Sequence, residues 1–325
     1  MKKAKISYQN LVPFIILAVM LVIFGIATGG SMFSSSNMKG MFNQAACIIM
    51  AGFGMVFATT MGATDITHGA LLCLSGGLGC MAAAALGGWA TFPVAILLGI
   101  GSGLILGTCN AVFRASSFMM SLALLIAYKA MNSLIFNSVV VSAPRSLKFI
   151  DGIGFKLAVV VILFLITLYI YNYMPYGTHL KAVGENENAV KHCGINIRRV
   201  KMIAFVISGI MCAIAAVFNA VRVGGITNQI GTGFEMNVMM AMFIGGIPVE
   251  GGMKSKLYKL VIGAFTIIIL TNGLMLCGAS GGLTQLIKGI ILLAVVALTQ
   301  FMNTKLSSIG EQAAVNQAKV AQAEE

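Results

Sequence analysis

The stretch Gly184-Glu185-Asn186-Glu187-Asn188-Ala189-Val190-Lys191-His192-Cys193-Gly194-Ile195-Asn196-Ile197-Arg198-Arg199 is the longest polar island in an otherwise apolar chain. Asn186 is placed to cap a short helix, Glu187 and Lys191 stand four residues apart in the favourable acid-first order, and Gly194 offers the left-handed residue that ends it. The reading is a helix of one or two turns on a loop. Alone in water so short a helix is marginal, so it needs a membrane domain behind it, a partner in front of it, or both. From local pattern an ordinary solvated loop and a docking helix fit equally well.

Outward from the island, the composition decides the class. Of 325 residues 58% are hydrophobic and only 9% charged, and the mean hydropathy is +0.95, far outside the balance of a soluble domain. Crossing a bilayer takes about 20 apolar residues per helix, and alternating short strands of a barrel are not what the sequence offers. Backbone polar groups must be paired internally in lipid, so helices are the spanning element. The expected fold is an all-α polytopic membrane protein of about ten transmembrane helices. A net charge of +12 invites thoughts of nucleic acid, but the basic residues are scattered among loop ends. Nor do the cysteines form a Cys-x-x-Cys or meet paired histidines, so no disulfide and no metal site is expected.

Lys2, Lys3 and Lys5 precede an apolar run from Leu11 to about Ala27 that mimics a signal peptide but is long enough to span, and it reads as an uncleaved first helix. Further apolar windows run roughly over 41–61, 69–87, 92–113, 118–137, 155–174, 200–221, 234–248, 257–276 and 283–302. With the N-terminus inside, Arg114, Lys181, Lys191, Arg198, Arg199, Lys201, Lys254, Lys256, Lys259, Lys305 and Lys319 all fall on the inner side. Only Lys39, Arg145, Lys148, Lys156 and Arg222 fall outside, the bias that the positive-inside rule expects. The termini and the polar island are therefore expected in the cytoplasm. The chain divides into a membrane domain over 1–302, with a cytoplasmic loop at about 176–200, and a polar tail over 303–325.

Two glycine-bounded acidic segments interrupt the apolar sequence: Gly62-Ala63-Thr64-Asp65-Ile66-Thr67-His68-Gly69 and Gly245-Gly246-Ile247-Pro248-Val249-Glu250-Gly251-Gly252. Each follows an apolar helix, both are expected to turn at the cytoplasmic face, and their likeness hints at a duplicated half. A carboxylate at mid-bilayer costs about 2.5 to 3.5 kcal/mol on insertion scales, so Asp65 is expected at an interface or against a wet cavity. Gly99, Gly103 and Gly107 mark one helix face for close packing. Lys129 lies deep in an apolar run, whereas Lys288, nearer a span end, can snorkel. Asn110, Asn132, Asn219, Asn237 and Asn272 are the candidates for a polar translocation path, with interhelical hydrogen bonding as the plainer role.

Several of these pieces together carry a resemblance. They are the 62–69 segment, Val183 to Ala189 followed by Gly194-Ile195-Asn196 and Val200-Lys201, then Gly231-Thr232-Gly233-Phe234-Glu235, Gly245-Gly246 with Gly251-Gly252, Thr271-Asn272-Gly273-Leu274 and Gln285-Leu286-Ile287-Lys288-Gly289. In this order and spacing the chain resembles the membrane permease of ribose, xylose and galactose type ABC importers, a branch that also has nucleoside and branched-chain amino-acid members. Its 62–69 segment departs from the family's Gly-Gly-Ile-Asp-Leu-Ser-Val-Gly at Ala63, Thr64, Thr67 and His68. Departures at this turn leave the identity of the solute open.

The resemblance implies a bacterial inner-membrane protein that works as a homodimer or heterodimer of permeases, with a cytoplasmic ATPase below and an extracytoplasmic substrate-binding protein above. It assigns ATPase coupling to the loop that holds Gly184, Glu185, Asn186, Glu187, Ala189, Lys191, Gly194, Arg198 and Arg199. No enzyme activity is expected of this chain: Gly251-Gly252-Met253-Lys254-Ser255 lacks the phosphate-loop spacing, so ATP and magnesium belong to the partner. A stand-alone ion-coupled transporter is the rival class and would need buried ionisable groups, for which Lys129, Asp65 and Glu235 are the few on offer. A non-transporting scaffold or sensor is the third.

Overall fold

The computed structural model describes residues 8–137, 140–253, 255–295 and 297. Its helices are α1 (Tyr8–Ala27), α2 (Ser35–Thr60), α3 (His68–Leu86), α4 (Thr91–Ala111), α5 (Ser117–Phe136), α6 (Ile153–Asn172), α7 (Pro175–Glu185), α8 (Glu187–His192), α9 (Ile197–Val223), α10 (Phe234–Ile244) and α11 (Leu257–Leu276). Two short strands, β1 (Val141–Ser142) and β2 (Gly225–Ile226), pair antiparallel with Val141 opposite Ile226. Seven helices among the described residues, α2 to α6, α9 and α11, are long and apolar enough to cross a membrane. Leu11–Ala27, Phe234–Ile244 and Gly281–Val295 are shorter apolar helices. The last of these belongs to a second compact unit that begins at Ala279. The end of the last predicted window and the tail over 303–325 lie outside the described residues.

The expected window over 234–248 is corrected: α10 has only 11 residues. At about 1.5 Å per residue it reaches roughly half of a ~30 Å hydrocarbon layer. Gly246, at φ 85°, ends it, and Ile247 N–H closes the turn onto the Met242 carbonyl. Apolarity continues to Pro248, which is why the sequence reads longer than the helix.

Helix α2 forms the centre of the first unit, buried on every side from Ala45 to Thr60, as a helix apolar all round must be. Helix α9 packs on it through Gly54, where a Cβ would fall 2.7 Å from the Met211 Cβ. On its other side α9 meets α4, and the expected small-residue face is the contact: Cβ atoms on Gly99 and Gly103 would run into the Gly209 and Phe205 carbonyls. By contrast α6 leaves Leu157, Val161, Ile162, Leu165 and Ile166 on the outside.

Candidate functional site

Two places concentrate the polar residues. The first is the surface around α8. The Asn186 side chain accepts from the Ala189 N–H at 3.0 Å, and Gly194, at φ 77°, turns the chain beyond the helix end. Glu187 sits in the first turn and Lys191 in the last, each with the sign the helix dipole favours. Only Val190 of α8 is buried; Glu187, Asn188, Ala189 and Lys191 are exposed, as are Arg198 and Arg199. The expected Glu187 and Lys191 pair does not form. Instead Glu187 accepts from Lys201 Nζ at 2.8 Å, which ties α8 to the first turns of α9, where Asn196 caps the Arg199 N–H.

Helix α7 falls where the sequence pattern predicts only loop. Pro175 starts it, where the missing N–H costs nothing, and Gly177, Leu180 and Val183 form its buried face. Lys181 folds back to donate to the Tyr171 carbonyl at 2.9 Å and to Asn172, closing the end of α6. Burial lowers the pKa of that ammonium.

Helices α7 and α8 are knotted to the bundle. The Glu185 carboxylate accepts from the Met253 N–H at 2.8 Å, and the Gly252 N–H donates to the Thr60 carbonyl at 2.8 Å. A Cβ on Gly184 would run into that same carbonyl, and one on Gly62 would fall 3.3 Å from the Glu250 carbonyl. Tyr171 shares a hydrogen bond with Thr60 Oγ1 at 2.9 Å and donates to the Ser255 carbonyl at 3.0 Å. Gly62, Gly184, Glu185, Glu250, Gly251 and Gly252 are thus brought together where α2, α6 and α7 end. Gly245 and Gly246 sit against Lys259, whose Nζ donates to the Gly246 carbonyl. Beside this knot a cleft of ≈ 530 Å³ opens between α4 and α8, with Arg114, Lys191, Arg198 and Lys201 around Glu187.

The second place is internal. Asp65 is not on an exposed turn: it is 1% exposed. One carboxylate oxygen accepts from the Thr67 N–H and hydroxyl at 3.1 and 2.6 Å, and the other from Ser208 Oγ at 2.8 Å. His68 is also buried, 3.7 Å from Asp65 and 3.3 Å from Ser208 Oγ. Ser208 lies midway along α9, so the chain re-enters the bundle after Thr60 and begins α3 in the interior. There the start of α3 meets the start of α10: a Cβ on Gly69 would run into the Gly231 carbonyl and the Glu235 carboxylate. Ser208 lies 143 residues along the chain from Asp65, so no local pattern marks it as the partner.

The path candidates are dispersed. Asn110 donates to the Ala115 carbonyl at 2.9 Å, Asn132 to the Ala70 carbonyl at 2.9 Å, and Asn219 accepts from Arg222 at 2.8 Å. Asn272 exchanges two 2.9 Å bonds with Asn37. Asn237 is half-buried on α10. Among the described residues no group of three His, Cys, Asp or Glu is placed to hold a metal ion.

Comparison with known proteins adds a lineage to this geometry. Residues 37–296 match the family model described as branched-chain amino acid transport system / permease component. The fructose import permease protein of Rhizobium meliloti is 27% identical over 307 residues, 90% of this chain and 85% of that one. The ribose import permease protein of Escherichia coli (strain K12) is 25% identical over 300 residues, 86% of this chain and 91% of that one. The xylose transport system permease protein of Haemophilus influenzae is 25% identical over 368 residues, covering 91% and 97%. No solved structure matches the chain significantly.

Proposed function

The chain belongs to the family of branched-chain amino acid transport system permease components, and from that membership we propose that it is the membrane-spanning subunit of an ATP-driven importer of a monosaccharide. The permeases it resembles over most of their length carry fructose, ribose and xylose in their names, which favours a sugar over the amino acid of the family's title. The chain is a multi-pass membrane protein and a transport component, with no enzyme chemistry of its own. Its location is the bacterial inner membrane, with ATP and magnesium on a separate cytoplasmic ATPase, a binding protein outside, and two permease copies forming the path.

The observation that carries the reading is the tethered surface helix. Glu187, Lys191, Arg198 and Arg199 stand exposed on α8 and the start of α9, while Glu185, Gly184 and Lys201 fasten that surface to α2, to the turn before α11 and to α9. A partner that pushes on α8 moves those elements together, and α10, which leads into the same turn, carries the motion to the interior. A population shift between outward- and inward-facing forms follows from the partner's different grip in its ATP-bound and ATP-free states.

The test is reconstitution with a partner ATPase and a substrate-binding protein that co-purify with it, scored for ATP-dependent uptake of pentoses, hexoses, nucleosides and branched-chain amino acids. Sugar uptake that requires ATP is the expected result. Reversing charge at Glu187 together with Arg198 should abolish it while membrane insertion stays intact. Uptake by this chain alone, driven by an ion gradient and indifferent to ATP, would overturn the proposal.

A further inference from the structure

Lys129 is the residue that a lipid-facing helix does not explain. Helix α5 buries a stripe of Ser121, Leu125, Tyr128 and Asn132, and Lys129 flanks that stripe with its side chain 49% exposed. It stands 12 residues from Ser117 and 7 from Phe136, about 18 Å and 10 Å from the helix ends. Side chains on a helix lean toward its N-terminus, so the ammonium leans away from the nearer end and does not snorkel out by it. A half-exposed ammonium at that depth belongs against water or a polar cavity, not hydrocarbon.

What it faces is a second anomaly. Glu235 Oε1 is 3.8 Å from Lys129 Nζ, too long for a full hydrogen bond, and Glu235 Oε2 is buried with no hydrogen-bond partner. The carboxylate lies in the first turn of α10 and against Gly69 at the start of α3, between two helix starts that both favour negative charge. Gly69, Gly231 and Gly233 contribute no side chains of their own beside it. From this pair a polar strip continues along the chain through exposed Thr232 and Gln229 to Asn228, whose amide donates to Asn137 at the far end of α5 at 3.2 Å.

We propose that Lys129 and Glu235 form the solute-binding point midway along the translocation path, with Thr232, Gln229, Asn228 and Asn137 as its approach. The proposal rests on the sugar-importer reading and names the contacts that reading lacks. A sugar hydroxyl is both donor and acceptor: its oxygen accepts a hydrogen bond from the Lys129 ammonium while its own O–H donates to the Glu235 carboxylate. The pair is neutral as a unit, which suits an uncharged polyol. Its loose spacing lets a hydroxyl enter without breaking a tight ion pair, so binding stays weak enough for release.

The experiment uses the reconstituted complex with single cysteines introduced at three positions and a membrane-impermeant trimethylammonium methanethiosulfonate as the probe. The parent chain's labelling supplies the background. Lys129→Cys and Thr232→Cys should react at least about tenfold faster than Leu165→Cys on the exposed apolar face of α6, because the charged reagent avoids hydrocarbon. Equal rates at positions 129 and 165 would overturn the proposal. In uptake assays with ribose, xylose and fructose, Lys129→Met and Glu235→Gln should raise KM about tenfold or more, the scale of one lost polar contact. Lys129→Arg, which keeps the donors, should retain uptake, whereas a parental KM in Lys129→Met would overturn the proposal whatever the labelling. If the parent complex takes up no sugar with ATP, the functional reading fails, and the labelling rates alone still decide whether this strip faces water.

Discussion

The two glycine-bounded acidic segments look alike in sequence and end in opposite surroundings. Asp65 is buried at the interior start of α3, with Thr67 and Ser208 donating to both of its oxygens. Glu250 is exposed on the turn that meets α2 and α7, and there the backbone does the work: the Gly252 N–H bonds the Thr60 carbonyl, and Gly251 and Gly252 adopt φ of 78° and 85°. An acidic residue between glycines therefore marks a break in a membrane helix but not its depth. Depth depends on whether the facing helix offers donors, and α9 offers Ser208 only to the first segment.

The contrast is broken most sharply by removing each carboxylate. Asp65→Ala orphans several buried donors at roughly 1–3 kcal/mol each, so folded yield and thermal stability in detergent should collapse. Glu250→Ala should stay within about 0.5 kcal/mol of the parent. Equal losses in the two variants would erase the distinction.

Next in size is Gly184→Val. Its side chain cannot share space with the Thr60 carbonyl and the Gly252 amide, and overpacking of this kind costs about 1–3 kcal/mol. ATP-driven uptake should fall while the protein still inserts, measured against expression in the same membranes. Glu185→Ala removes one acceptor from the Met253 N–H, worth about 1 kcal/mol, and should lower the maximal uptake rate with KM unchanged. The smallest effect belongs to the exposed Glu187 and Lys201 pair. A double-mutant cycle should return about 0.2–1 kcal/mol, less in high salt.

The places of the long helices were legible because a span needs a long apolar run, and α11 occupies Leu257–Leu276, the very window its apolarity marks. The caps of α8 were legible for a local reason: Asn186 acts on a residue three further on, and Gly194 on its own backbone. What escaped was decided at a distance. Helix α7 hides in a mixed sequence whose apolar face is fixed by packing against its neighbours, and the Glu187 partner is chosen by where α9 begins. The short α10 escaped because apolarity reports the solvent of a segment, not whether its backbone stays helical. Lys129 was noticed for its depth, but its meaning came only with the unpaired oxygen of Glu235 beside it.

Coupling requires α8 to face the cytoplasm, where a motor can hold it, and Cys193, an exposed free thiol just past the helix, reports this directly. A membrane-impermeant maleimide applied to inside-out and right-side-out vesicles, with Cys193→Ser to subtract the exposed Cys277, reads its side of the membrane. Cys193 should label in inside-out vesicles only, and less when the ATPase is bound. Labelling of Cys193 in right-side-out vesicles would contradict the coupling role.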